Sequence, residues 1–275
     1  MITKLKECNF GLVIHVDELV MLLNKVEEKI ENEEQIILNY LKDYDVTPQD
    51  IYDWLLNNQT YSNSFVLLGD FNYLGIGTIK VDERKAIELY EKAADLDNAA
   101  GINRLGYFYQ RGIKKFESYQ RAADLGNVFG MNNLGHCYEF GIGIDINEQK
   151  AFECYQKSAE LGHSHGIYNL GDCYFYGIGT SIDEQKTFNF FRKAADLGNT
   201  FGINDLGYCY QHGIGIGIDE KKAFELYQQA ANLENRVAQY NLAVMYENGI
   251  GIKKNITKAR NFYRKSADRD ARYKL

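Results

Sequence analysis

The chain of 275 residues holds a single proline, Pro48. Proline removes a helical hydrogen bond and clashes with the preceding turn, so its near absence leaves helices free to form along most of the length. No run of about 18 apolar residues occurs, and no membrane-spanning helix is expected. The opening stretch MITKLKECNFGLVIHVDELV is interrupted by His15, Asp17 and Glu18 before its apolar patch could serve as the core of a secretion signal. Dense runs of Lys and Arg are also missing. With 31 basic against 38 acidic residues and a formal net charge of −7, the chain lacks the electrostatic footprint of a nucleic-acid binder. Five cysteines, an odd number with no extracellular signal, read as free thiols of a reducing compartment. The expected location is therefore the cytosol or nucleus, where the sequons at Asn58 and Asn255 would carry no glycan.

What is present is periodicity. The stretch GMNNLGHCYEFGIGIDINEQKAFECYQKSAELGHSH, from Gly130 to His165, aligns almost residue for residue with those beginning at Gly166 and Gly202, and the next unit opens at Ala238. Each start lies 36 residues after the last. A fixed period of this size marks an array of two-helix units, each burying its apolar face against its neighbours. Earlier units start near Ser64 and Gly101. The unit at Gly101 is only 29 residues long, because Gly112-Ile113-Lys114-Lys115 runs almost directly into Phe116-Glu117-Ser118-Tyr119. The loop and its capping residue are lost there, and a truncated second helix is expected in that repeat.

Punctuation divides each unit into helix A and helix B. Helix A carries Leu134 and Tyr138, or Leu170 and Tyr174, or Leu206 and Tyr210, at i and i+4 on one face. Gly135, Gly171 and Gly207 follow the leucine. A helical glycine costs roughly 1 kcal/mol relative to alanine, so its recurrence calls for close approach of helix B. A Gly-Ile-Gly loop ends helix A. Asp82, Asn147, Asp183, Asp219 and Asn255 then occupy one position, the N-cap of helix B. Helix B repeats an aromatic, a second aromatic and alanine, as Phe188, Phe191 and Ala195, with paired alanines fitted for contact with the next helix A.

Residues 1–60 lack this motif. Leu19, Leu22, Leu23, Val26 and Ile30 predict a helix from Asp17 to about Ile30, and Ile36, Ile37, Tyr40 and Leu41 predict one from Glu33 to Lys42. Thr47, Pro48 and Asp50 supply the start of a third, with Ile51, Trp54 and Leu55 on one side. These three helices are expected to dock as a cap on the first repeat. The chain thus divides into a cap, 1–60, and a repeat array, 64–275, with units starting near 64, 101, 130, 166, 202 and 238.

The order Leu-Gly, a Tyr three residues on, Gly-Ile-Gly, a capping Asp or Asn, Lys-Ala, aromatic, Tyr and Ala-Ala resembles the Sel-one-like repeat, a relative of the tetratricopeptide repeat. The resemblance covers about 64–269 and departs from the pattern in the short second unit and at Arg269, where other units carry Leu125, Leu161, Leu197 and Leu233. It implies an all-α fold, a right-handed α-solenoid of about six repeats, and a non-enzymatic scaffold or adaptor in signalling or quality control. Some relatives accompany kinase domains, which implies an alternative role as the regulatory arm of a kinase-linked protein. A cysteine-rich branch has helix-to-helix disulfides and an attributed penicillin-binding hydrolase activity, the other alternative.

Candidate chemistry is sparse. GIGIG at Gly213–Gly217 lacks GxGxxG, a preceding strand and a following Lys-Ser, and reads as a helix cap. Cys137, Cys173 and Cys209 share one structural position and so stand a repeat apart, about 10 Å, too far for a disulfide. Cys137 with Cys154 is the one pairing left to consider. His163-Ser164-His165 lacks Cys or carboxylate company at ligand spacing. No catalytic set, metal or cofactor is assigned. In tetratricopeptide-like solenoids helix A lines the concave groove with residues two before, two after and five after the core leucine. By that resemblance the partner-binding strip comprises Asn103, Tyr107 and Gln110; Asn132, His136 and Glu139; Tyr168, Asp172 and Phe175; Asn204, Tyr208 and Gln211; and Tyr240, with Val244 and Glu247. An amide offers a donor and an acceptor that match a peptide backbone, and Tyr offers rigid contact area. The expected partner is a protein or peptide, with no nucleic acid and no membrane insertion.

Overall fold

The computed structural model describes residues 16–23, 30–59, 61–76, 80–109 and 112–267. Helices account for the regular structure, and no strand occurs among the described residues. The chain divides into two compact units, Met1–Asn147 and Glu148–Leu275.

In the first unit, α1 (16–23), α2 (Ile30–Asp43) and α3 (Pro48–Asn57) precede the repeats. Helix α3 begins as its residues dictate. The Asp50 N–H donates to Thr47 Oγ1 at 3.1 Å and the Thr47 N–H donates back to Asp50 Oδ2 at 3.3 Å, closing a reciprocal cap. Leu19, Leu23, Ile37, Leu41, Ile51 and Leu55 then bury themselves in one cluster with Leu68, Phe71 and Leu89 of the first repeat. The expected first helix extends to Ile30 by sequence; its stretch 24–29 lies outside the described residues. The first repeat is α4 (Ser62–Leu74) with α5 (Glu83–Asp95), and the second is α6 (Ala99–Phe108) with α7 (Ile113–Asp124). Helix A of the third repeat, α8 (Val128–Phe140), closes the unit.

The short second repeat departs from expectation. Helix B, α7, keeps 12 residues, whereas helix A, α6, has 10 against 13 in α4 and α8. The deletion falls on the last turn of helix A and on the loop. Tyr119 and Ala122 of α7 are buried and so fix the length of helix B.

The second unit contains α9 (Glu148–Glu160), the pairs α10 (Ser164–Tyr176) with α11 (Glu184–Asp196) and α12 (Thr200–His212) with α13 (Glu220–Asn232), and α14 (Arg236–Asn248) with α15 (Ile256–Ala267). Helix A of each pair ends on a left-handed residue, Gly177 at φ 78° being representative. Helix B starts where Asp183 accepts from the Lys186 N–H and Asp219 from the Lys222 N–H, each at 2.9 Å. The glycine after the core leucine does what its position calls for: a methyl group on Gly171 would lie 2.7 Å from the Phe191 ring of the same pair.

Successive repeats are joined by aromatic edges. Phe152 meets Tyr174 at 5.6 Å and 90°, Phe188 meets Tyr210 at 5.5 Å and 85°, and Phe224 meets Tyr246 at 5.4 Å and 90°. In the first unit Phe116 meets Tyr138 at 5.5 Å and 80°. Each pair sets a helix B ring against the next helix A and adds about 0.5–1.5 kcal/mol beyond its buried area.

Candidate partner-binding face

Helix A starts on a cap that the sequence reading missed. Asn98, Asn127, Asn199 and Asn235 each accept the backbone N–H three residues on, as Asn199 does from Gly202 at 2.8 Å. His163 takes the same role in α10, its Nδ1 accepting from the Gly166 N–H at 3.2 Å. Burial, and then the neighbouring His165, lower the His163 pKa to about 3, so the imidazole is neutral. This capping accounts for the His163-Ser164-His165 run, and no group of three metal-ligating side chains occurs among the described residues.

The expected strip separates into two classes. In the first unit Asn103 is 2% and Asn132 5% exposed; in the second, Asn204 is 4% exposed. Two of these amides serve as links between repeats. Asn133 Nδ2 donates to Asn103 Oδ1 at 3.2 Å and approaches the Tyr107 hydroxyl at 3.1 Å. Asn241 Nδ2 donates to Asn204 Oδ1 at 3.1 Å. One position before the core leucine, Asn133, Asp205 and Asn241 thus bond the residue two before it in the preceding repeat. Between the first two repeats Arg104 Nε donates to Asp70 Oδ1 at 3.0 Å, and Asp70 also accepts from the Tyr90 hydroxyl.

The other class faces solvent. Tyr107 is exposed in the first unit, where His136 stacks on the exposed Phe140 at 5.9 Å and Glu139 is half-buried. Gln110 lies outside the described residues. In the second unit Tyr208 is exposed and Tyr240 is 54% exposed. Tyr208 rests on His212 at 4.1 Å and meets Phe175 edge-on at 6.1 Å. Gln211 accepts from the buried Tyr227 hydroxyl at 2.8 Å, and Glu247 from Tyr263 at 2.7 Å. Val244 is half-buried.

At the centre of the second unit, the Tyr168 hydroxyl donates to Asp205 Oδ2 at 3.0 Å and stands beside Asp172. Asn204 Nδ2 donates to the other Asp205 oxygen at 2.7 Å. Burial raises the Asp205 pKa from the usual carboxylate range against these two hydrogen bonds, which lower it. Burial also raises the pKa values of Tyr168 and Tyr176, with Asp172 and Asp205 adding to it, so both phenols are neutral donors near pH 7. Tyr176, 66% exposed, and Phe201, exposed and 5.8 Å from the Tyr168 ring, belong to this face although the spacing rule omitted them. Their signal was aromaticity on helix A outside the core positions.

Cys137, Cys173 and Cys209 are buried and Cys154 is half-buried, all four as thiols outside any disulfide; Cys8 lies outside the described residues. Among the described residues no helix is long and apolar enough to cross a membrane.

The Sel1 repeat matches six times, over 66–98, 99–127, 128–163, 164–199, 201–235 and 236–270. A Sel1 repeat protein from Oxalobacter formigenes superposes with a TM-score of 0.72 over 88% of this chain and 94% of its own, at 23% identity. The protein c5321, a protective antigen of uropathogenic Escherichia coli strains with an SLR fold, superposes with a TM-score of 0.63 at 29% identity over 86% of this chain. The chain spans 53% of that antigen. A search of curated proteins gives no match. Sel1 repeat proteins generally mediate protein–protein interaction, and the scaffold is generally non-catalytic. The six consecutive matches, on an all-helical chain of paired helices, establish that this protein belongs to the Sel1 repeat family, an α-solenoid class of about six repeats.

Proposed function

We propose that the chain is a non-enzymatic adaptor, working in the cytosol or nucleus, whose helix A face in the second unit holds a segment of another protein. The observation that carries this reading is the division of labour along helix A. Buried amides such as Asn204 hold neighbouring repeats together, which leaves Tyr208, Tyr240, Tyr176 and Phe201 exposed on the same helices. Aromatic side chains held by packing provide contact area at low entropic cost, and truncating such anchors dominates binding losses. Helices α1–α3 fit a terminal cap, since they cover the apolar side of the first repeat with Leu23, Leu41 and Leu55.

The experiment is affinity capture with the wild-type chain beside a Tyr208→Ala/Tyr240→Ala double variant. Loss of the captured protein with unchanged helical circular dichroism supports the face. Undiminished capture places binding elsewhere.

A further inference from the structure

The charge on this face names the chemistry of its occupant. Helices α10 and α12 contain neither Lys nor Arg, and α14 contains only Arg236. Arg236 stands at the first position of α14 and donates to the Ser266 carbonyl oxygen, through Nε and Nη2, both at 3.1 Å. The carboxylates of these three helices are Asp172, Asp205 and Glu247. Among the described residues the unit's lysines sit on helix B, apart from Lys253 and Lys254 in the loop after α14; Lys186 approaches Asp183 at 3.6 Å and Lys222 approaches Glu225 at 3.5 Å. Of the helix A carboxylates, Asp172 and Asp205 share the neighbourhood of one hydroxyl, that of Tyr168.

Asp205 is the one acidic residue at its position in the array. The equivalent position holds Asn133, Asn169 and Asn241 in the third, fourth and sixth repeats, a neutral amide that suits the ladder, and Leu67 and Arg104 in the first two. Its described partners are the Tyr168 hydroxyl and the Asn204 amide. Both are neutral, so neither compensates the charge of the carboxylate when it is ionised. Around it stand faces suited to a cation: Tyr208, with Phe175 edge-on at 6.1 Å, and Tyr176, whose ring lies 4.6 Å from that of Phe175.

We propose that the occupant of the helix A face is a basic segment of a protein partner, with an arginine guanidinium seated between Asp172 and the Tyr176 and Tyr208 rings. The inference rests on the reading that this face binds a protein segment, and adds to it the sign of the charge. Arginine suits the site because its planar cation stacks on a phenol ring while its N–H groups reach a carboxylate. A segment rich in Glu or Asp would meet the carboxylates of these three helices, whose one Lys or Arg side chain, Arg236, is bonded to the Ser266 carbonyl oxygen.

The test uses the full chain and a fluorescein-labelled peptide carrying arginines among leucine and alanine, beside the same peptide with citrulline at each arginine, read by fluorescence anisotropy. Citrulline keeps the shape and removes the charge. Tighter binding of the arginine peptide by about tenfold is expected. Asp172→Asn should abolish that preference, while Glu225→Gln on the exposed side of α13, which changes net charge equally, should preserve it. Equal affinity for both peptides, equal weakening by D172N and E225Q, or no binding of the arginine peptide at about 100 µM would each overturn the proposal. Equal affinity accompanied by loss of both peptides in the Tyr208→Ala/Tyr240→Ala variant would leave the face in place and remove only its preference for a cation. An arginine preference that survives in that double variant would overturn the seat itself.

Discussion

The Tyr168 hydroxyl donates to the Asp205 carboxylate at 3.0 Å, tying helix A of the fourth repeat to helix A of the fifth. The same two positions are joined by paired amides at Asn204 and Asn241. Replacing one amide by a carboxylate keeps the geometry and adds a charge. Burial raises the Asp205 pKa above its ordinary 3.8, so the native chain holds its proton to higher pH than the unfolded one. The stability associated with that proton is present below the ordinary value and is lost as pH rises through the folded value. Asp205→Asn should therefore raise the melting temperature at pH 7, by the equivalent of about 1 kcal/mol. Paired thermal melts at pH 7 and pH 3 test this, the difference shrinking at the lower pH.

His163 has the opposite sign. Its folded pKa of about 3 lies below the ordinary 6.5 because burial, then His165, disfavours the imidazolium. Between those values the unfolded chain binds more protons, so stability falls as pH drops from about 6.5 to about 3, by up to ~1.4 kcal/mol per pH unit. His163→Asn installs the cap used by Asn199 and Asn235 and should flatten the difference in urea midpoint over that window. An unaltered pH profile would place the acid sensitivity elsewhere.

Close approach at the glycine of helix A predicts a further cost. A methyl at position 171 would fall 2.7 Å from the Phe191 ring, and overpacking of this kind costs about 1–3 kcal/mol. Gly171→Ala should lower the melting temperature accordingly. The last repeat already carries Ala243 at this position, and its ring Tyr263 is only half-buried, whereas Tyr227, over Gly207, is fully buried.

The thiols should separate by burial. Burial pushes Cys137 up to about 11 and Cys209 up to about 12, and a protonated, buried thiol is a poor nucleophile. In the native chain Cys154 should be alkylated ahead of Cys137, Cys173 and Cys209, as peptide mass spectrometry would record. All five should react in denaturant without reductant. Protection that persists in denaturant would indicate the disulfide-linked array on which the penicillin-binding alternative depends.

The repeat was legible because its determinants are local and recur. Leu170, Gly171, Gly177 and Asp183 each state a contact or a cap within their own unit. Helix length in the second repeat was misjudged, because the deletion was assigned to helix B when burial of Tyr119 and Ala122 holds that helix intact. The amides were misjudged for a related reason. Asn103 and Asn204 look like binding groups in isolation, and only the neighbouring repeat reveals that Asn133 and Asn241 already engage them. The recurrence of Asn one residue before the core leucine was the available signal. Asp205 departed from it by a negative charge, as Arg104 did by a positive one.

The account rests on helix A, and not helix B, presenting the binding surface. A photoreactive benzophenone side chain placed at position 208, and separately at the exposed position 225 of α13, measures this directly. The account predicts that a partner protein is cross-linked from position 208 and not from 225. Cross-linking from 225 alone, or equally from both, would contradict it.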